Sequence, residues 1–425
     1  MSDIGIYKFG GASIADIEGM QNVGKIITES KNDKILVVIS AMGKTTNALE
    51  EVWKSRSNPG DVERKLKTII DLHLNIVSEL CNNDASTVMS IQQLSEITSL
   101  DLSKNLHFVY DQLVSIGELL STTIINSYLK ECGVNSCWLD AREVIRTNDT
   151  YRDGKVDWEI TNRNINSSVQ SLMQQHDVII TQGFIGSDDH GSTITLGREG
   201  SDFSAAIFAY CLDASKLSIW KDVKGILTGD PRKFENVVKI DRLTYKESIE
   251  MTYYGAKVIH PKTIKPLQNK QIPLYVKSFI KPDLPGTMIS SEIELTYPPI
   301  VVIEENQALI HFSTRDFSFI AEEHLAQLFS ALDRNRLKVN LMKNTAISFT
   351  ICVTNVEDRI TNLIENLDGE YRITIDPNLE LITVRHPNEN IIGTLKQEKV
   401  VLMEERAPET VQVVVKDAPQ MIRKR

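Results

Sequence analysis

IGIYKFGGAS, residues 4–13, is the stretch on which the fold turns. Four strand-like residues lead into a lysine, an aromatic and two adjacent glycines, and a helical pattern follows from about Ile17 to Ser30. KILVVIS (34–40) is then a second apolar run. Strand, glycine turn, helix, strand is a β-α-β rhythm, which predicts a parallel sheet covered by helices on both faces. Two glycines let backbone amides approach a ligand closely, the next helix offers its unpaired N–H groups, and Lys8 adds a full charge. A tight turn and a phosphate cradle both fit these residues when they are read alone.

The same rhythm continues. Residues 48–131 are mostly helical by pattern, and strands resume at NSCWLD, DVIITQGFIG, STITL, KLSIWKDV and IPLYVKS. A stretch with four prolines, KPDLPGTMISSEIELTYPP (281–299), marks a domain boundary near 290–300. Beyond it VVIEE, ALIHFSTR, the helix IAEEHLAQLFSALDRNR, LKVNLMKNT, AISFTICV, the helix VEDRITNLIENLD and LELITVR follow in the order β-α-β-β-α-β, a ferredoxin-like unit. VVLMEER and TVQVVVK read as one more hairpin. The expected architecture is α/β, a three-layer sandwich with a mostly parallel central sheet over 1–293, a ferredoxin-like α+β domain over 300–385, and a partial second such unit with a basic tail over 386–425.

Bulk composition narrows the class. The chain has 425 residues, 41% hydrophobic and 24% charged, with a formal net charge of −10. No basic patch speaks for nucleic acid or an anionic membrane, and no apolar run approaches the ~20 residues of a membrane span. The N-terminus has no signal-peptide layout, and five scattered cysteines read as reduced thiols of a cytoplasmic protein.

Several motifs carry chemistry. SAMGKTTN (40–47) imitates the end of a Walker loop, but Val38 stands where that loop needs its first glycine. It remains a strand-to-helix turn, with Ser40, Thr45 and Thr46 able to donate to an anion. In TLGREGSDFSAA (195–206), Gly197 and Gly200 flank Arg198, and Ser201 and Asp202 open an apolar helix. A helix cap explains one of those two, whereas an arginine between glycines is suited to fork onto a carboxylate. WKDVKGILTGDPR (220–232) brings Lys221, Asp222 and Arg232 to the carboxyl end of a strand, where open α/β sheets bind ligands. YGAKVIHPKT adds Lys257, a phosphate candidate, and His260, which reads as structural.

Taken together, KFGGAS, VVISAMGKTTN, SIGELLS, ITQGFIG, TLGREGSD, WKDVKGILTGDPR and YGAKVIHP, in this order, resemble the aspartokinase branch of the amino acid kinase family over residues 4–290. The downstream part resembles its ACT-type regulatory region. The resemblance implies phosphorylation of the β-carboxylate of L-aspartate by ATP with Mg2+, the first step toward lysine, threonine and methionine. It implies Lys8 and Asp202 as catalytic residues. Lys8, Phe9, Gly10, Gly11, Lys221, Asp222, Arg232 and Lys257 would contact ATP. Ser40, Thr46, Glu118, Phe184, Arg198 and Ser201 would line the aspartate site, with no metal ligand assigned. A homodimer through the ACT region is also implied. Ala12 and Glu199 depart from the pattern, standing where Thr and Gly are usual, as does Leu227, where relatives often carry an aromatic. In lysine-inhibited relatives the stretch matching LKVNLMKNTAIS binds lysine. Here it holds Asn340 and Ala346, no carboxylate, and the cations Lys338 and Lys343, an arrangement that opposes a cationic effector. Another carboxylate kinase of the same fold, acting on glutamate or N-acetylglutamate, and a non-catalytic amino-acid sensor remain alternatives at this point. Glu118 disfavours an acylated substrate, and intact Lys8, Arg198 and Asp202 disfavour the sensor.

Overall fold

The computed structural model describes residues 4–30, 34–81, 84–95, 105–256, 259–291, 296–315, 318–367 and 369–417. The chain divides into two compact units, 1–226 with 239–249 and 258–295, and 227–238 with 250–257 and 296–425.

The first unit is built on an eight-stranded sheet. Its strands are β1 (Ile4–Phe9), β2 (Lys34–Ile39), β3 (Ser136–Leu139), β4 (Val178–Gln182), β7 (Lys216–Lys221), β8 (Arg242–Thr244), β9 (Leu274–Ser278) and β10 (Thr287–Ser290), in the order β3-β4-β2-β1-β7-β9-β10-β8. All pairings are parallel except β9–β10. Five consecutive residues of β1, β2 and β4 are buried, which requires cover on both faces. On one face Tyr7, Phe9, Val37 and Ile180 meet α1 (Ile17–Glu29), α2 (Thr45–Lys54), α3 (Pro59–Leu80), α5 (Leu106–Val114) and α6 (Ile116–Glu131) in a single apolar cluster. The helix α4 (Ala85–Ser95) follows α3, and the short α7 (Ala141–Val144) follows β3. Strand residues alternate faces, so Lys8 lies opposite Phe9 and meets α9 (Gly200–Cys211). α8 (Trp158–Gln175) and α11 (Pro261–Lys270) accompany α9. Apart from the main sheet, β5 (Ile185–Ser187) and β6 (Thr193–Thr195) form an antiparallel pair. The helix α10 (Tyr245–Tyr253) begins in this unit and ends in the other. No helix among the described residues is long and apolar enough to cross a membrane.

The second unit is a six-stranded antiparallel sheet, β12-β13-β11-β14-β16-β15. β11 (Ile300–Thr314), α12 (Glu322–Arg334), β12 (Val339–Asn344), β13 (Ser348–Thr354), α13 (Glu357–Leu367) and β14 (Tyr371–Arg385) follow the β-α-β-β-α-β order expected from sequence. Both helices bury Leu328, Leu332, Ile360 and Leu363 against Ile310, Phe312 and Ile351. The hairpin β15 (Lys399–Ala407) and β16 (Thr410–Asp417) joins the sheet along β14. A helix absent from the sequence reading, α14 (Glu389–Lys396), precedes it, capped by Asn388 through Ile391 N. Two segments from within the expected catalytic stretch, 227–238 and 250–256, belong to this unit. Thr228 O accepts Val301 N at 2.8 Å, Lys233 pairs with Glu305, and Phe234 packs on Val301, Ile382 and Val413.

Candidate active site

The site grows from two neighbouring strand ends. Ser40 N donates to Phe9 O and Gly43 N to Gly11 O, so the turns leaving β1 and β2 run side by side. A Cβ on Gly11 would lie 2.5 Å from Ala41 O, so only glycine permits this approach. Likewise a Cβ on Gly117, at the start of α6, would lie 2.8 Å from the Ala41 Cβ. These close contacts bring the first turn of α6, and with it Glu118, into the same region as Lys8.

Lys8 is 8% exposed and Asp202 2% exposed. Lys8 Nζ lies 2.5 Å from Asp202 Oδ1, and Lys221 Nζ lies 3.8 Å from Oδ2. Burial works against an ionised Asp202, but the charges of Lys8 and Lys221 outweigh it and hold the carboxyl below its ordinary value. Asp202 is thus an anion held between two ammonium groups at the N-terminus of α9, a place that favours negative charge.

Glu118 is the opposite case. It is 3% exposed, and burial pushes its pKa up to about 8 against backbone bonds from Ala41 N, at 3.3 Å, and from its own backbone. Its Oε2 is buried with no hydrogen-bond partner among the described residues. A carboxyl so placed is an acceptor waiting for a cationic donor.

Both groups border one cavity of about 600 Å³, which Gly11, Ser40, Thr46, Phe184, Arg198 and Ser201 also line. Phe184 takes a left-handed φ of 71°, and Gly200 leaves room for its ring, since a Cβ there would lie 2.6 Å from Phe184 Cδ2. Arg198 is exposed at the cavity wall. Gly10 begins the short turn of helix Gly11–Ile14 beside Lys8.

Other expected residues lie elsewhere. The Phe9 side chain is fully buried and stacks on Trp220 at 5.9 Å, so only its backbone is available to a ligand. Asp222 borders a separate cavity of about 580 Å³ with Ser13, Asp16 and Phe279. Arg232 belongs to the second unit, where its guanidinium forks onto Asp230. Lys257 lies outside the described residues. His260 caps α11 through Lys262 N, the structural role its sequence context implied. Sequence reasoning missed Arg152, Tyr110 and Asn47, which also line the main cavity. The one available signal was Asp111, the single carboxylate in the helix LHFVYDQLV, which is fully buried and accepts Arg152 N.

An ion pair of lysine and aspartate, a guanidinium and an unsatisfied carboxyl around one cavity can hold an anion and a zwitterion together. The pattern of the amino acid kinase family matches residues 4–278. The lysine-sensitive aspartokinase 3 of Escherichia coli (strain K12) is 33% identical over 401 residues, 90% of this chain and 87% of that protein. The chloroplastic aspartokinase 1 of Arabidopsis thaliana is 32% identical over 360 residues, 81% of this chain and 62% of that one. The structure of E. coli aspartokinase III in complex with lysine and aspartate (T-state) is similar with a TM-score of 0.82 at 29% identity, covering 97% of this chain and 96% of that one. The same enzyme in complex with aspartate and ADP (R-state) gives 0.78 with the same coverage. Family pattern, sequence relatives and shared fold converge across nearly the whole length, and the chain belongs to the aspartokinases of the amino acid kinase family.

Proposed function

We propose that the chain transfers the γ-phosphoryl group of ATP to the β-carboxylate of L-aspartate, giving 4-phospho-L-aspartate and ADP. This is the first step toward lysine, threonine and methionine. The observation that carries the reading is the buried Asp202 held between Lys8 and Lys221, beside a cavity that Glu118 and Arg198 also line. A carboxylate is ionised at neutral pH, so the nucleophile needs no general base. Its oxygen forms the new O–P bond as the bond to the bridging oxygen of ADP breaks. What the protein supplies is charge neutralisation and alignment. Lys8 neutralises the transferring phosphoryl group, Asp202 orients Lys8, and the amides of Gly10 and Gly11 face the phosphates. Arg198 takes the α-carboxylate, and Glu118 takes the ammonium. Ser40, Thr46, Ser201 and Phe184 shape the aspartate site. Lys221, beside Asp202, serves the nucleotide phosphates. Among the described residues no group of three or more His, Cys, Asp or Glu is placed to hold a metal. Mg2+ enters as part of the Mg-ATP substrate, bound mainly through phosphates.

An ATP-dependent hydroxylamine trap tests the reading, with L-aspartate, L-glutamate and N-acetylglutamate in parallel. Hydroxamate is expected from aspartate alone and is lost in Lys8→Ala. That variant leaves the buried Asp202 with only the more distant Lys221 and is expected to lose roughly 3 kcal/mol of stability. The double variant Lys8→Ala with Asp202→Ala recovers stability but not activity. Product from another acceptor, or activity in either variant, would sink the assignment. Pairing through the antiparallel sheet of the second unit would make the protein a homodimer. Light scattering should then give twice 47.9 kDa, and a monomer mass would refute it.

A further inference from the structure

Arg152 lies in the connection between α7 and α8, outside every motif discussed above. Its φ is 70°, the left-handed region that long side chains rarely adopt. A network holds the turn in this shape. Arg152 N donates to Asp111 Oδ2 at 2.9 Å, and Asp111 is fully buried. The same carboxylate accepts Thr195 N at 3.0 Å and Thr195 Oγ1 at 2.8 Å. Gly154 N donates to Thr195 O, and Lys262 Nζ bridges Asp153 Oδ1 and Leu196 O at 2.9 and 3.0 Å. At Gly197 a Cβ would lie 3.2 Å from Arg152 O. The turn of Arg152 is therefore stapled to the strand end that delivers Arg198.

The side chain is placed with equal care. Its guanidinium lies 4.0 Å from the Tyr110 ring and 5.6 Å from the Trp53 ring, and Tyr110 donates to Glu50 at 2.6 Å. A guanidinium over an aromatic face has five N–H donors, so a bond to the Tyr110 hydroxyl leaves others for a planar anion. Arg152 and Arg198 line the same cavity. Strained backbone that the surroundings over-determine clusters at functional sites.

We propose that Arg152 is a second carboxylate-binding guanidinium, sharing the substrate's α-carboxylate with Arg198. This deepens the aspartate kinase reading and rests on it. L-Aspartate carries two carboxylates, and only one is to meet the phosphoryl group. Two arginines lining one cavity and a carboxyl for the ammonium fix which end is which. Arg152 is thereby a specificity-determining residue, because it disfavours the inverted pose.

Arg152→Gly and Arg152→Lys test this. Glycine suits a φ of 70°, so R152G keeps the fold, with a melting temperature no lower than that of R152A. R152K keeps the charge but not the fork. In R152G the KM for L-aspartate and its calorimetric Kd are expected to rise about tenfold or more, with kcat and the KM for ATP within roughly twofold. R152K should recover only part of this loss. The α-amide of L-aspartate, used as a competitive inhibitor, should lose its disadvantage relative to aspartate in R152G. A KM for aspartate within about twofold of wild type would overturn the proposal. So would an equal loss of affinity for aspartate and its α-amide, which marks a merely structural role. If wild type forms no hydroxamate, the kinase reading falls, while calorimetry with aspartate still decides the role of Arg152.

Discussion

Glu118 links substrate recognition to pH. Its carboxyl, pushed up to about 8 by burial, holds a proton near neutrality in the empty site. The native state then binds a proton that the unfolded chain releases above its ordinary value of 4.5. Stability therefore declines as pH rises from there through about 8. An incoming ammonium favours the ionised form, so aspartate binding should expel a proton. The KM for aspartate is expected to fall as pH rises from about 6.5 to about 8.5, by up to roughly tenfold per unit. Calorimetry in buffers of different ionisation enthalpy should register the released proton. Glu118→Gln should raise the KM by about tenfold or more and flatten this profile. A wild-type profile already flat over that window would show that Glu118 is ionised in the empty site. At this scale the sequence was informative where motifs are contiguous and silent where partners are distant. Lys8, Arg198 and Asp202 were legible because charge, glycine and helix start adjoin in the chain. Arg152 was not, because the carboxylate that shapes its turn lies 41 positions away. Phe9 was drawn into the nucleotide set by its neighbours, yet strand alternation turns its ring into the core. Glu199 shows the reverse: its φ of 56° explains why glycine is comfortable at that position.

Between elements, the closest fit is that of the two turns that leave β1 and β2. Gly11→Ala would press a methyl group against Ala41 O, a backbone atom whose neighbour Ser40 is tied to β1. The expected cost is about 1–3 kcal/mol of stability, with a KM for ATP raised at least several-fold. Thermal melts and initial rates would measure both. A variant that melts and binds ATP like wild type would mean that the turns slide apart freely. Most elements were readable from their period, since short apolar runs bounded by turn residues fit strands covered on both faces. The helix α14 was hidden because ENIIGTLK is eight residues long, carries a glycine inside and has a single buried residue, Ile392. Its apolar residues Ile391 and Leu395 gain meaning only when packed on β14 and β16.

For the whole molecule, the stretch 337–348 carries an expectation about lysine regulation. Asn340 donates to Gln307 Oε1 at 2.8 Å, so its amide is committed within the second unit. Lys338 and Lys343 are exposed on the same stretch. Lysine at millimolar concentration is therefore expected to leave the kinase rate within about twofold of the control, since like charges oppose a cationic effector. Strong inhibition in a lysine titration would refute this. The antiparallel unit was legible as an arrangement of strands and helices, but its true membership was not. Chain order says nothing about a loop that leaves one core and completes another. Residues 227–238 and 250–257 do this, with Phe234 seated among valines and isoleucines contributed from 301 to 415. The two units are consequently not separable cassettes. A gene fusion or recombination event that breaks the chain after Leu295 would hand one product an orphaned phenylalanine and the other a sheet with a hole in its apolar cover. A shortened form ending there would have to replace Phe234 to keep an apolar ring out of water.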